Sequence, residues 1–338
     1  MLHKPTQQET FQALLDDLAA RVRDAFLSAI ARIRSSVTLG LVISRLERHD
    51  TEGVIRALAT DASVYNPMLD EIDAAYSAGG GGIGAELPTI RDPEGFPISI
   101  SFDVRNPLAE AWLKENGATL VRQITDDQVA MLRNVLSQGM AAGESSRQLA
   151  LDIVGRIDKT TGQRSGGVLG LTAAQKEWAS AYEQELLSLD ANALTRTLRD
   201  LRFDRTIAKA IDRGVRLSAD QVAKISGAYR NNLLRLRGET VARTEVLKAL
   251  NAARDEAMRQ AIDGGNVSGN LVDQHWWTTM DGRERDSHAA MDGQTVPWGQ
   301  AFVSGAGYRL RYPGDPLAPA SEVVGCRCSK TFTIRRVS

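Results

Sequence analysis

The chain has 338 residues, 43% of them hydrophobic and 25% charged, with a formal net charge of -1. That length can bury a sizeable core and points to two or three modules, while the balanced charge removes the bluntest sign of a nucleic-acid binder. No apolar run approaches the ~20 residues a membrane-spanning helix needs, and the start lacks the basic-then-apolar pattern of an export signal. The only two cysteines, Cys326 and Cys328, exclude a disulfide framework. Composition thus predicts a soluble intracellular product with no membrane association.

Residues Phe11, Leu14, Leu15, Leu18, Val22, Phe26, Ile30 and Ile33 recur at spacings of three and four, which predicts a helix with one apolar face. More helix follows to about Tyr76. The run Gly79-Gly80-Gly81-Gly82-Ile83-Gly84 then reads as a flexible joint, because glycine is costly in a regular element. Alternation in Ile98-Ser99-Ile100-Ser101-Phe102 predicts one short strand.

Four of the ten prolines lie between Pro88 and Pro107, four between Pro297 and Pro319, and none between Leu108 and Val296. That proline-free stretch predicts a helical domain. Thr125-x-x-Gln128, Thr172-x-x-Gln175 and Ser218-x-x-Gln221 each fit a capping box and so mark helix starts. A further helix is expected from Glu239 to about Ile262, with Ala242, Val246, Ala249, Ala253, Ala257 and Ala261 as a small-residue stripe ended by Gly264-Gly265.

The last segment differs in kind: seven of the 18 aromatic residues fall in its final 63 positions. A short helix capped by Asp281 and closed by Gly293 would place Glu284, His288 and Asp292 on one face. Strand character is expected at Val323-Val324 and at Thr331-Phe332-Thr333. The fold class expected is mainly α: an elongated helical region with a small α+β C-terminal module. Its segments are 1–78 (helical), 79–107 (a Gly/Pro-rich linker with a short strand), 108–270 (helical domain) and 271–338 (the α+β module).

One set of residues carries a resemblance. Ala242-Arg243-Thr244-Glu245 opens a helix and is followed by Trp277 and by Asp281-x-Arg283-x-Arg285-x-x-His288. Then come Asp292-Gly293, Phe302, Tyr312-Pro313-Gly314-Asp315-Pro316 and Cys326-Arg327-Cys328. In this order and spacing the sequence resembles the phage Mu F-like family of minor head, or head morphogenesis, proteins. The stretch 106–155 and the run Gly166-Gly167-Val168-Leu169-Gly170-Leu171-Thr172 resemble its helical part. Two positions depart from the family pattern: Gly325 stands where Asn is usual, and Gly282 where a polar residue is commoner. Some relatives carry a toxin domain after this module; with ten residues beyond Cys328, none is expected here.

The resemblance implies a low-copy protein of a tailed-phage or prophage head, made in the host cytoplasm and located in the virion, inside the head or at the portal vertex. Its implied partners are the portal protein and the major capsid or scaffold protein, with packaged double-stranded DNA as a further one.

The chemistry of the candidate residues leaves more than one reading open. On an extended segment Cys326 and Cys328 face one side, so both thiols can reach one ion, with His288 third and Asp292, Asp281 or His275 fourth. Thiolates plus imidazole favour zinc. Against this, a lone Cys-x-Cys lacks the paired knuckles of structural zinc sites, and buried thiols with a hydrogen-bonded histidine are the preferred alternative. His288 with Glu284 and Asp292 also offers a general acid-base set, in its best form a metal-dependent nuclease, but no nucleophile or phosphate loop accompanies it and no enzyme is expected. Arg243, Arg283 and Arg285 are expected to pair with acids such as Glu245 and Asp281, and Glu245 to sit at the positive end of its helix. Between Leu201 and Arg243 ten Lys or Arg face four Asp or Glu, so Arg230, Arg235 and Arg237 are candidate contacts to DNA or a partner; a solvated helical face is the default.

Overall fold

A computed structural model describes residues 6–58, 62–87, 90–91, 97–98, 100–158 and 162–335. The elements run α1 (Gln7–Ser36), α2 (Leu39–Glu47), α3 (Thr51–Leu58), α4 (Asn66–Glu86), β1 (Ile90–Arg91), β2 (Pro97–Ile98) and α5 (Pro107–Ala141). They continue through α6 (Ser146–Val154), β3 (Arg156–Ile157), β4 (Arg164–Ser165), α7 (Ala173–Ser188), α8 (Asp204–Arg213) and α9 (Ala219–Asp263). The C-terminal part holds β5 (Val272–Trp277), α10 (Asp286–Ala289), β6 (Thr295–Pro297), β7 (Phe302–Val303), β8 (Arg309–Leu310), α11 (Ala320–Val323) and β9 (Ser329–Ile334). The fold is mainly α with a small α+β C-terminal part, as its proline and aromatic distribution predicts. Among the described residues no single helix is long and apolar enough to cross a membrane.

The chain forms two compact units that are not consecutive in sequence. One comprises 1–24, 67–117 and 239–338; the other comprises 25–66 and 118–238.

In the first unit the C-terminal half of α9 is the central element. Its stripe Ala242, Val246, Ala249, Ala253, Ala257 and Ala261 is buried throughout. Short side chains there let neighbouring helices approach closely. The glycine run corrects the expected joint: it lies within α4, and the expected boundary after residue 78 falls inside that helix. The reason is packing. A Cβ on Gly79 would stand 2.7 Å from the Leu250 carbonyl oxygen of α9, so the glycine is what permits the two helices to touch. Ile83 and Leu87 then join Ala257, Met258, Ala261, Val267, Val272 and Phe332 in one apolar cluster.

The three-stranded sheet of this unit has the order β6-β5-β9, all antiparallel, with Gln274 opposite both Val296 and Phe332. Alternation along β5 buries Val272, Gln274 and Trp276 and turns Asp273, His275 and Trp277 outward. The outer edge of β9 is occupied by α1: the Gln7 side-chain amide donates to the Phe332 carbonyl and accepts from its N–H, both at 3.4 Å. The strand expected at Thr331–Thr333 is therefore present. Val323-Val324 is not a strand; it ends and follows the short helix α11. The strand expected at 98–102 is confined to β2, paired with β1, with Ile100 to Phe102 irregular and Ser99 outside the described residues.

In the second unit α1 continues with Phe26, Ile30 and Ile33 fully buried. Two buried arginines hold the carbonyls of the Gly166–Thr172 run: Arg34 donates to the oxygens of Gly167 and Leu169 at 2.9 and 2.6 Å, and Arg237 to that of Gly170 at 2.9 Å. The capping box at Thr172 and Gln175 is formed, as is the reciprocal pair at Ser218 and Gln221. The third expected box is not a helix start. Thr125 lies inside α5 and donates to the Val121 carbonyl, while Gln128 is buried and donates to the Leu58 carbonyl. A pattern of two residues cannot separate a cap from a pair of mid-helix polar side chains with other partners.

Candidate functional site

The site is assembled where three irregular segments of the first unit meet. After β5 the chain turns at Thr278–Gly282, and the carboxylate of Glu284 accepts the N–H groups of Asp281, Gly282 and Arg283 at 2.8–3.1 Å. The backbone N–H of Glu284 itself, joined by those of Gly282, Asp281 and Arg283, holds the Glu284 pKa low against burial. The single-turn helix α10 follows and carries His288. It is too short to align Glu284, His288 and Asp292 on one face, which corrects that expectation. Gly293 closes the turn at φ 73°, its N–H donating to the Trp276 carbonyl.

The second segment is α11, which presents Glu322. The third is the non-helical stretch 325–328. Gly325 has φ 67°, a left-handed conformation that Asn also tolerates, so the departure from the family pattern preserves the backbone. Its N–H donates to Thr244 Oγ1 of α9 at 3.0 Å. That bond orients the Cys-x-Cys segment against the helix.

Within this frame Cys326 Sγ lies 3.5 Å and Cys328 Sγ 3.4 Å from His288 Nδ1. The other ring nitrogen, Nε2, meets Glu322 Oε2 at 3.0 Å. All four residues are buried, His288 and both cysteines to 1% exposure. Trp276 packs edge-on to the imidazole with ring centres 5.4 Å apart. Thr278 Oγ1 donates to the His288 carbonyl at 2.8 Å and stands 3.6 Å from Cys328 Sγ. Both cysteines are free thiols.

The two sulfurs titrate apart. A hydrogen bond from Cys326, assisted by His288, drives the Cys328 pKa down against the opposing effect of burial. Donation to Cys328 and burial push Cys326 up. Among the described residues His288, Cys326 and Cys328 form the group of donors able to share an ion, their ligand atoms all within 4.8 Å.

The fourth ligands considered from sequence are elsewhere. Asp292 Oδ1 accepts the Thr278 N–H at 2.8 Å, Asp281 pairs with Arg327, and His275 bridges Thr295 and Thr333 on the outer sheet face. Glu322 was missed. Its signal was weak: a lone carboxylate four residues before Cys326, masked by the strand character of Val323-Val324.

The remaining motif residues serve packing. Arg243 and Glu245 do not open a helix; they lie mid-way along the 45-residue α9, so the dipole argument for Glu245 does not hold. Arg243 pairs with Asp16, and burial lowers its pKa with Arg327 adding to the effect. Glu245 accepts from Lys248 at 2.8 Å and from Asn116 at 3.2 Å. Arg285 donates to the Val324 carbonyl, Arg283 is exposed, and Trp277 Nε1 donates to Thr331 Oγ1 at 2.7 Å. Arg243 and Arg285 thus take partners other than Glu245 and Asp281, and Arg283 meets Asp281 Oδ1 through its backbone N–H alone. In the turn motif Asp315 is buried and accepts from Arg311 N, Nε and Nη2 and from Leu317 N. Burial alone would raise its pKa, but these bonds hold it low.

Two of the three candidate DNA contacts are interior. Arg230 is clamped by Asp152 and Glu183, and Arg237 by Asp127 and the Gly170 carbonyl, which leaves Arg235 exposed. Charge counting along a sequence cannot see that these arginines are already neutralised.

The geometry defines a closed, thiol-and-imidazole-centred module docked on a long helix. A model of the family described as Phage Mu protein F like protein matches residues 130–331. The match runs from within α5 to β9 and contains the whole site, so the chain belongs to this family of phage head morphogenesis proteins. No curated protein and no solved structure matches the chain.

Proposed function

We propose that this chain is a minor structural protein of a tailed-phage or prophage head, seated at the portal or the inner face of the capsid, where it acts in head assembly, DNA packaging or delivery. The family match carries this reading. Capsid-related proteins are its partners, with the portal protein first among them, and its mechanism is binding rather than catalysis. The fate of the motif residues supports this. Arg243, Glu245, Asp281, Arg285 and His288 are engaged in contacts within the first unit, which suits a rigid docking unit more than a substrate cleft.

The test is quantitative mass spectrometry of purified heads together with affinity capture of co-expressed portal protein. The chain is expected in heads at low copy relative to the major capsid protein and in complex with the portal. Its absence from both procapsids and mature heads would overturn the proposal. Divalent-metal-dependent DNA cleavage by the pure chain, abolished by His288→Ala, would replace it with the nuclease reading.

A further inference from the structure

We propose that His288, Cys326 and Cys328 bind a zinc ion that locks the C-terminal α+β part of the first unit. A tetrahedral ion with Zn–S near ~2.3 Å and Zn–N near ~2.0 Å holds its nitrogen and sulfur donors about 3.5 Å apart. His288 Nδ1 stands 3.5 and 3.4 Å from the two sulfurs. A single N–H could point at only one of them, so two equal separations from one nitrogen fit a shared ion better than a hydrogen bond.

The second observation is Glu322. Zinc-bound histidines donate their other ring N–H to a carboxylate, which fixes the tautomer and the ring plane. Glu322 Oε2 at 3.0 Å from Nε2 does this here and leaves the Nδ1 lone pair facing both sulfurs. Ser287 Oγ, 3.3 Å from both Glu322 oxygens, steadies the carboxylate in turn. The third observation is burial. Two thiols, an imidazole and a carboxylate converge at 1–3% exposure, an arrangement costly for charged groups unless a cation joins them.

The donor set selects the metal. Soft sulfur with imidazole favours zinc over magnesium or calcium, and three protein donors leave one corner for a water. Binding exchanges thiol protons for the ion and changes no oxidation state, so no oxidant or reductant is involved. The ion ties α10 to the stretch 325–328 that joins α11 to β9, and Glu322 of α11 is held to it through His288.

The experiment uses the full chain, purified under reducing conditions without a metal-affinity tag. Zinc is measured by mass spectrometry, and cobalt(II) replaces it as an optical probe. Stoichiometric zinc and a thiolate-to-cobalt charge-transfer band are the expected result. Glu322→Gln keeps all three donors and is expected to weaken zinc affinity by about 10- to 100-fold. Cys326→Ser/Cys328→Ser should lose both zinc and the band. If that variant does not fold, the wild-type cobalt spectrum and the Glu322→Gln titration still decide the matter. Folded wild-type protein that takes up no zinc from a zinc-buffered solution overturns the proposal. So does a double-serine variant that binds zinc as tightly as wild type.

Discussion

Lys330 shows what a single side chain can do that sequence does not announce. Its Nζ is fully buried and donates to Asp255 of α9, to Gln274 Oε1 at 3.0 Å and to the Arg311 carbonyl at 3.3 Å. The ammonium also lies 4.8 Å from the centre of the Phe332 ring. A strand lysine ordinarily reads as solvent-facing, and nothing in Ser329-Lys330-Thr331 suggests otherwise. Lys330→Met would leave Asp255 and Gln274 without their cation. Removing one partner of a buried pair costs about 3–5 kcal/mol, and the partial exposure of Asp255 places the loss near the lower end. Chemical denaturation measures it. Burial, outweighing Asp255, lowers the Lys330 pKa from the ordinary 10.5. Between the lowered value and 10.5 the unfolded chain binds the proton that the folded chain has released, so unfolding free energy rises with pH across that interval. Lys330→Met should lack this increment, and comparing the two stability profiles isolates it from other titrating groups.

At the scale of elements, periodicity carried most of what the sequence made legible. The apolar face of α1, the alanine stripe of α9 and the caps at Thr172 and Ser218 all follow from local rules that survive in the fold. At Gln128 and at Gly79 the local pattern is overridden by a partner far along the chain. Helix α9 runs unbroken through Glu239, and Arg230, Arg237 and Glu245 along it each meet a partner on another segment. The glycines of α4 are helical because α9 packs on them. This last point separates two neighbouring substitutions. Gly79→Ala would drive a Cβ to 2.7–2.8 Å from the Leu250 backbone, forcing α4 and α9 apart, whereas Gly81→Ala meets nothing within 4 Å. Gly81→Ala should therefore stabilise by up to about 1 kcal/mol through helix propensity and reduced unfolded-state freedom. Gly79→Ala should lower the melting temperature despite the same propensity gain. Equal shifts in the two variants would mean that the helix–helix contact does not govern this glycine.

For the whole molecule, the fold brings together His288, Cys326 and Cys328 of the family motifs, and its two compact units are each built from separated stretches of the chain. The residues from 271 onward contain the sheet, His288, Glu322 and both cysteines, so they look self-sufficient in sequence. Their core is not. Val272 and Phe332 are buried against Ile83 of α4 and Leu87 just beyond it, and against Ala257, Met258 and Ala261 from α9. Gln7 of α1 completes the edge of β9, and Lys330 requires Asp255. A fragment of fewer than 70 residues is already short of buried area, and this one would expose the apolar face that α4 and α9 cover. Residues 271–338 expressed alone, with zinc supplied, are therefore expected to show a collapsed amide spectrum and rapid hydrogen exchange. The intact chain should protect the β5 and β9 amides. A dispersed spectrum from the fragment would show that the strands and the His288 cluster suffice for folding and that α4 and α9 merely dock against a finished module.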